Sequence, residues 1–263
     1  MTRHRRLALI TGASGGLGLE FARLFAADKW DLVLVSRGEE ALRKIRAELE
    51  AAHGIAATVL PADLSRDGEA KTVAAALAAA GLALDVLVNN AGIATYGPFA
   101  ESDPEEERAM LEINVTNLTV LTRLLLPAML RRKSGHVLNV ASTAAFQPGP
   151  LMAAYYASKA YVLSFSLALS EELRDTGVTS TCLCPGPTAT GFVARAKMET
   201  SRLFKRGLVM DAATVARIGY RACLAGKPLV VPGALNRVGA FATRLVPRLF
   251  AARIARKAQE AEA

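Results

Sequence analysis

"RLALITGASGGLG", residues 6–18, decides the fold. Four apolar residues, Leu7 to Ile10, lead directly into a turn holding Gly12, Gly15, Gly16 and Gly18. A short apolar run bounded by glycines reads as a buried strand, and the longer apolar-periodic run after it as a helix over about 16–28. Glycines permit a tight turn and let the backbone approach a ligand closely. The helix N-terminus adds free N–H groups and the positive end of the helix dipole, so the turn can hold a phosphate. Strand, glycine turn and helix in this order are the context that a dinucleotide pyrophosphate requires. The spacing is not Gly-x-Gly-x-x-Gly. It reads as Thr-Gly-x-x-x-Gly-x-Gly through Gly12, Gly16 and Gly18, or as Thr-Gly-x-x-Gly-x-x-Gly through Gly12, Gly15 and Gly18. A glycine-rich connection without a ligand satisfies the same pattern.

Outward from this turn, short β-like runs alternate with longer helical ones. Strands are predicted at 6–11, 31–36, 56–63, 84–90, 135–142, 177–185 and 228–233. Helices fit between them at about 16–28, 39–53, 66–80, 104–131, 152–175 and 211–225. Continuous apolar strands alternating with helices imply a parallel sheet covered on both faces. The fold class is therefore α/β, a doubly wound Rossmann fold with a seven-stranded parallel sheet. Residues 1–233 read as one dinucleotide-binding domain, and 234–263 as a basic amphipathic tail. No linker or internal repeat interrupts the pattern.

Composition narrows the class. The chain has 263 residues and is 52% hydrophobic, enough for a full core and against disorder. Its consecutive apolar runs fall short of the roughly 18 residues that a membrane span needs. The basic start "MTRHRR" precedes only four apolar residues, which makes it the entry to a strand rather than a signal peptide. Three cysteines argue against a disulfide scaffold. Cys182 and Cys184 share one face of a predicted strand and read as buried thiols, not as a metal site, which suits a reducing cytoplasm. The net charge of +8 is uneven: residues 195–263 hold 14 basic and 4 acidic side chains, against 18 and 20 in residues 1–194. Such asymmetry suits an anionic partner or surface; no nucleic-acid-binding motif accompanies it.

The end of the second strand bears on the cofactor. An acid there, about 20 residues after the glycines, would bind the ribose 2′-hydroxyl of NAD. Here the strand ends "VSRG", with Ser36 and Arg37 in that place. An arginine matches a 2′-phosphate in charge and geometry. This favours NADP(H), with NAD(H) left open.

A second stretch suggests acid–base chemistry. In "AAYYASKAYV", residues 153–162, Tyr155 has Lys159 four residues on, along one helix face. A phenol titrates near pH 10. A cation within about 4–6 Å lowers that value, and a tyrosine so tuned can exchange a proton with a carbonyl or alcohol oxygen. A packing tyrosine beside a solvated lysine gives the same spacing.

Taken together, the motifs resemble the short-chain dehydrogenase/reductase family, in consistent order from residue 6 to about 233. "TGASGGLG" resembles its cofactor turn, implying contacts from Gly12, Ser14, Gly16, Leu17 and Gly18. "PADLS" carries Asp63, which the resemblance assigns to the adenine ring. "NNAG" (89–92) supplies Asn90, Ala91 and Gly92 against the cofactor. "INVTN" supplies Asn114, and "NVASTAA" supplies Ser142, thirteen residues before Tyr155. "CPGPTAT" resembles the segment that meets the nicotinamide, through Pro185, Gly186, Thr188 and Thr190. The resemblance implies Tyr155 as acid–base and Ser142 as a hydrogen-bond partner of the substrate oxygen. It further implies that Lys159 lowers the tyrosine's pKa and holds the nicotinamide ribose, while Asn114 holds a relay water. The double reading of the glycine turn also fits the longer, epimerase-like branch of the superfamily, but only about 30 residues follow the last strand.

The implied function is an NADP-dependent oxidoreductase acting on an apolar carbonyl or alcohol, a ketone or acyl compound. The alternatives are a non-catalytic dinucleotide-binding regulator and a membrane-associated lipid-modifying reductase. The pocket is expected from "IATYGPF" after NNAG, "TAAFQPGPLM" after Ser142, and a lid near 187–210. A homodimer or homotetramer is expected through the helices over 117–130 and 152–174. The tail, a helix that Pro247 is expected to kink, places Leu235, Val238, Ala242, Leu245, Val246 and Leu249 on one helical face and Arg237, Arg244 and Arg248 on another. It can lie on an anionic membrane or dock on its own domain or a sister subunit. Docking, with burial of Leu235, Val238, Phe241, Leu245 and Leu249, is the expectation.

Overall fold

The structure is a computed structural model that describes residues 5–191 and 209–259. Strand β1 (Leu7–Thr11) leads into α1 (Gly16–Ala27), then β2 (Asp31–Ser36), α2 (Glu39–His53), β3 (Ala57–Pro61), α3 (Glu69–Ala79) and β4 (Val86–Asn89). The second half runs α4 (Pro104–Leu111), α5 (Asn117–Arg132), β5 (Gly135–Val140), α6 (Ala153–Glu172) and β6 (Val178–Leu183). Two short strands, β7 (Thr188–Ala189) and β8 (Met210–Asp211), pair with each other. Helix α7 (Ala212–Leu224) and strand β9 (Leu229–Val230) complete the sheet, and α8 (Ala234–Ala242) and α9 (Arg248–Gln259) form the tail.

The main sheet has seven parallel strands in the order β3-β2-β1-β4-β5-β6-β9. Side chains alternate across a strand, and β1 shows the result. Ala8 and Ile10 join the core under α1, α2 and α7, with Phe21, Phe25, Leu42 and Val215. Leu7 and Leu9 join the core under α3, α5 and α6, with Val73, Leu121 and Leu169. Both faces are thus covered, which explains the unbroken apolar strands. The strand order reverses between β1 and β4, where doubly wound sheets open a crevice at the strands' carboxyl ends.

Three expectations need correction. The helix expected over 104–131 is two helices joined by a π-helical turn, Glu112–Thr116. The whole stretch Pro104–Arg132 is long and apolar enough to cross a membrane. Its Asn117, however, is buried and donates to the Leu64 and Arg66 carbonyls at 2.9 Å each, tying the stretch to the loop before α3. The tail does dock, but by another face: Ala251, Ala255 and Gln259 are buried, whereas Leu235, Val238, Phe241, Leu245 and Leu249 are 60–78% exposed. Small residues let α9 sit close, and the large ones point away. Pro247 separates α8 from α9 rather than kinking a single helix; its carbonyl accepts from Phe250 and Ala251 N–H at the start of α9. The expected lid near 187–210 is bracketed by β7 and β8, and its residues 192–208 lie outside the described residues.

Candidate active site

The glycine turn is held against β4 by side chains from both strands. Thr11 Oγ1 accepts from Asn90 N–H and Ala91 N–H, each at 2.9 Å, and Asn90 Nδ2 donates to the Thr11 carbonyl at 2.9 Å. Gly12 and Gly16 have φ of +67° and +55°, in the left-handed region that favours glycine. At Gly18 a Cβ would stand 2.1 Å from the Gly12 carbonyl oxygen, so only glycine lets α1 approach its own turn. Gly18 therefore packs the helix and does not line the cleft. Gly12, Ser14, Gly16 and Leu17 do line it, and Thr190 crosses over Gly16 from the far side.

At one end of the cleft Ser36 Oγ donates to Ser14 Oγ at 2.8 Å, with Arg37 exposed beside them and on the cleft wall. Asp63 accepts from the Ser65 hydroxyl at 2.6 Å. Burial disfavours its charge, but the Ser65 hydrogen bonds and the charges of Arg37 and Arg66 outweigh that and hold its pKa below the usual value. A glycine wall at a helix N-terminus, flanked by the exposed Arg37, fits the diphosphate and phosphorylated ribose of a dinucleotide.

At the other end, Asn90, Ala91 and Gly92 face Ser142, Tyr155 and Lys159 across the same cleft, with Pro185, Gly186 and Thr188 closing it. Tyr155 is buried and hydrogen-bonds Ser142. Lys159 Nζ donates to the Val140 carbonyl at 2.9 Å and lies 5.8 Å from the centroid of the Tyr155 ring. The expectation that the lysine depresses the phenol's pKa is not met. Burial raises the Tyr155 pKa above its ordinary value, opposed by the Ser142 hydrogen bond. Burial also lowers Lys159 to about 8. Desolvation dominates at both groups, and at Lys159 it is opposed by Cys182 and Cys184, not by the phenol.

Asn114 does not line the cleft. It sits in the π turn, where its amide accepts from Ile93 N–H at 3.1 Å and donates to the Ile93 carbonyl at 2.9 Å and to Ser158 Oγ at 3.1 Å. A Cβ on Gly92 would meet Asn114 Oδ1 at 3.0 Å and Lys159 Nζ at 3.4 Å. Asn114 and Lys159 thus meet across Gly92, and π turns recur at functional sites for such placements.

Beyond Tyr155 the wall turns apolar, with Ile93, Ala144, Met152 and Tyr156. Here lies a residue that the sequence reading missed. Gln259, buried at the end of α9, donates from Nε2 to Tyr156 Oη at 2.5 Å, and its main-chain carbonyl accepts from Tyr96 Oη at 2.6 Å. Its Oε1 is buried without a hydrogen-bond partner among the described residues.

A family model for short chain dehydrogenases matches residues 6–200. The chain belongs to the short-chain dehydrogenase family, whose members are oxidoreductases acting on hydroxyl and keto groups. It is 37% identical over 180 residues to a very-long-chain 3-oxoacyl-CoA reductase of Phaeosphaeria nodorum, covering 67% of this chain and 53% of that protein. The chain thus spans about half the length of that curated relative. It is 33% identical over 214 residues to nodulation protein G of a Rhizobium species, covering 81% and 84%. Among solved structures, a short-chain dehydrogenase from Sphingobium yanoikuyae in complex with NADPH superposes with a TM-score of 0.82 at 29% identity, covering 98% of this chain and 99% of that one.

Proposed function

We propose that the protein is an NADPH-dependent reductase of apolar ketones or 3-oxoacyl compounds, with Tyr155 as the proton donor. One observation carries this reading: the Tyr155–Ser142 pair, Lys159 and the glycine turn share one cleft. Bound NADPH would supply the hydride that reduces the carbonyl carbon. The chain's own residues do the rest. Ser142 Oγ and Tyr155 Oη hold the carbonyl oxygen, and the phenol gives it a proton. A phenol whose pKa is raised by burial stays protonated through the neutral range, which suits reduction over oxidation. Lys159, at about 8, exchanges protons easily near neutrality and can recharge the phenol, with Asn114 positioned beside it.

Preference for NADPH is supported by Arg37 at the end of β2 and by the NADPH bound in the Sphingobium relative. The substrate class is supported by the walls of Ile93, Ala144 and Met152 and by the name of the Phaeosphaeria relative. Exposed Leu124 on α5 and Tyr161 and Leu167 on α6 support assembly into a homodimer or homotetramer, which light scattering reads directly. Three buried free thiols suit a reducing cytoplasm, and fractionation of cells tests that location. The deciding experiment is NADPH consumption across ketones, aldehydes and acyl thioesters. Turnover of an apolar ketone or 3-oxoacyl thioester supports the reading. NADPH binding without turnover on any carbonyl class would favour a non-catalytic regulator.

A further inference from the structure

Among the described residues, seven of the twelve exposed large apolar side chains lie within residues 235–254. Leu235, Val238, Phe241 and Leu245 project from α8 and the turn after it, and Leu249, Phe250 and Ile254 from α9, each 52–78% exposed. Exposed arginines and a lysine stand among them: Arg237, Arg244, Arg248, Arg253 and Lys257. No Asp or Glu occurs between residues 234 and 259. Exposed apolar side chains this dense along two consecutive helices mark a docking surface.

Charge selects the occupant. If a second copy covered the face across a two-fold axis, the patch would meet itself. Arginines would then oppose arginines with no carboxylate to pair them, and like charges so placed are costly. An anionic bilayer satisfies both features at once. Its acyl boundary takes the leucines and phenylalanines, and its phosphates take the cations. The face needs no unfolding to present itself. Ala251, Ala255 and Gln259 hold the inner side of α9 on the body, and Asn236 of α8 anchors to the Pro232 carbonyl at 2.8 Å.

We propose that the outer face of α8 and α9 docks the protein on an anionic lipid bilayer. Gln259 also lines the cleft, so docking would bring the substrate end of the site next to the lipid. The test is sedimentation of the full chain with vesicles of phosphatidylcholine alone or of equal parts phosphatidylcholine and phosphatidylglycerol. The full chain should pellet with the anionic vesicles, less so as salt rises, and stay in solution with the neutral ones. Two variants, Phe241→Glu/Leu245→Glu and Arg244→Gln/Arg248→Gln, should each bind about tenfold more weakly or worse with unchanged melting temperature. Should the first misfold, the second, which only removes surface charge, still decides. The proposal falls if the full chain ignores anionic vesicles, or if the folded variants bind them as well as the parent. It falls equally if the parent is an oligomer that the Phe241→Glu/Leu245→Glu variant dissociates, for the face then belongs to a second copy.

Discussion

Tyr155 and Lys159 stand one helical turn apart on α6, yet the ammonium points its hydrogen bond at the Val140 carbonyl while the phenol pairs with Ser142. The two groups therefore divide the work: one holds a proton tightly and the other holds it loosely. Tyr155→Phe keeps the ring packed and removes only the donor. It should retain NADPH affinity and lose about 100- to 10,000-fold in kcat. Tyr156→Phe, whose oxygen meets Gln259 and not Ser142, should keep most turnover. Steady-state kinetics of both variants on one substrate decide it, and the assignment to Tyr155 fails if the ranking inverts.

Arg37 tests the cofactor. Arg37→Ala removes a charge-assisted hydrogen bond to a 2′-phosphate, so NADPH affinity should drop about 10- to 100-fold. NADH lacks that phosphate and should be bound almost as before. Fluorescence titration with both cofactors separates the cases; equal losses would move Arg37 away from the phosphate.

The lysine makes a prediction about pH and stability. Its pKa falls from the ordinary value of 10.5 to about 8 on folding, because burial penalises the ammonium. Between those values the unfolded chain binds the proton and the folded one does not, so stability from this group rises with pH across that window. Below about 8 the burial penalty is present in full. Lys159→Met removes it, so the variant should melt higher than the parent near pH 7, with the gap closing toward pH 10. Melting without cofactor at both pH values checks this, and a gap independent of pH would show an ammonium less desolvated than its burial implies.

How far these features can be read from the sequence depends on whether a local pattern encodes them. All seven strands of the sheet lie within three residues of where apolar runs bounded by turn residues put them. The glycine turn, Arg37 and the Tyr155–Lys159 spacing are likewise local. The π turn at Asn114 is not, since its sequence "EINVT" fits an ordinary helix and the amide's partners on Ile93 and Ser158 come from elsewhere. Burial of the lysine, which reverses the expected tuning of the phenol, arises from α6 packing under β5 and β6. In the tail, periodicity separates an apolar face from a basic one. Which face the body accepts depends on the fit of Ala251 and Ala255, and that is tertiary.

Gln259 is the clearest such case, because its partners Tyr156 and Tyr96 lie 103 and 163 residues earlier in the chain. It belongs to the substrate end of the cleft, far in the chain from the glycine turn, Arg37 and Asp63. Changing it should therefore leave the cofactor alone. Gln259→Leu keeps the side chain's bulk, gives up the bond to Tyr156, and removes a buried Oε1 that has no partner among the described residues. The lost bond and the removed desolvation cost act in opposite directions, each about 1–3 kcal/mol, so the melting temperature should change little. Substrate recognition should change more. The Tyr156 hydroxyl on the cleft wall, released from Gln259 Nε2, becomes free to accept from a substrate's remote hydroxyl, so the KM of such a substrate should fall about tenfold relative to that of a wholly apolar ketone. NADPH affinity should stay within twofold or so of the parent, since no cofactor contact is touched. A matched pair of substrates, one with and one without a remote hydroxyl, measured at saturating NADPH, gives the comparison. If both KM values move together, Gln259 only shapes the wall, and if NADPH affinity falls with them, α9 supports the whole site and not its substrate end.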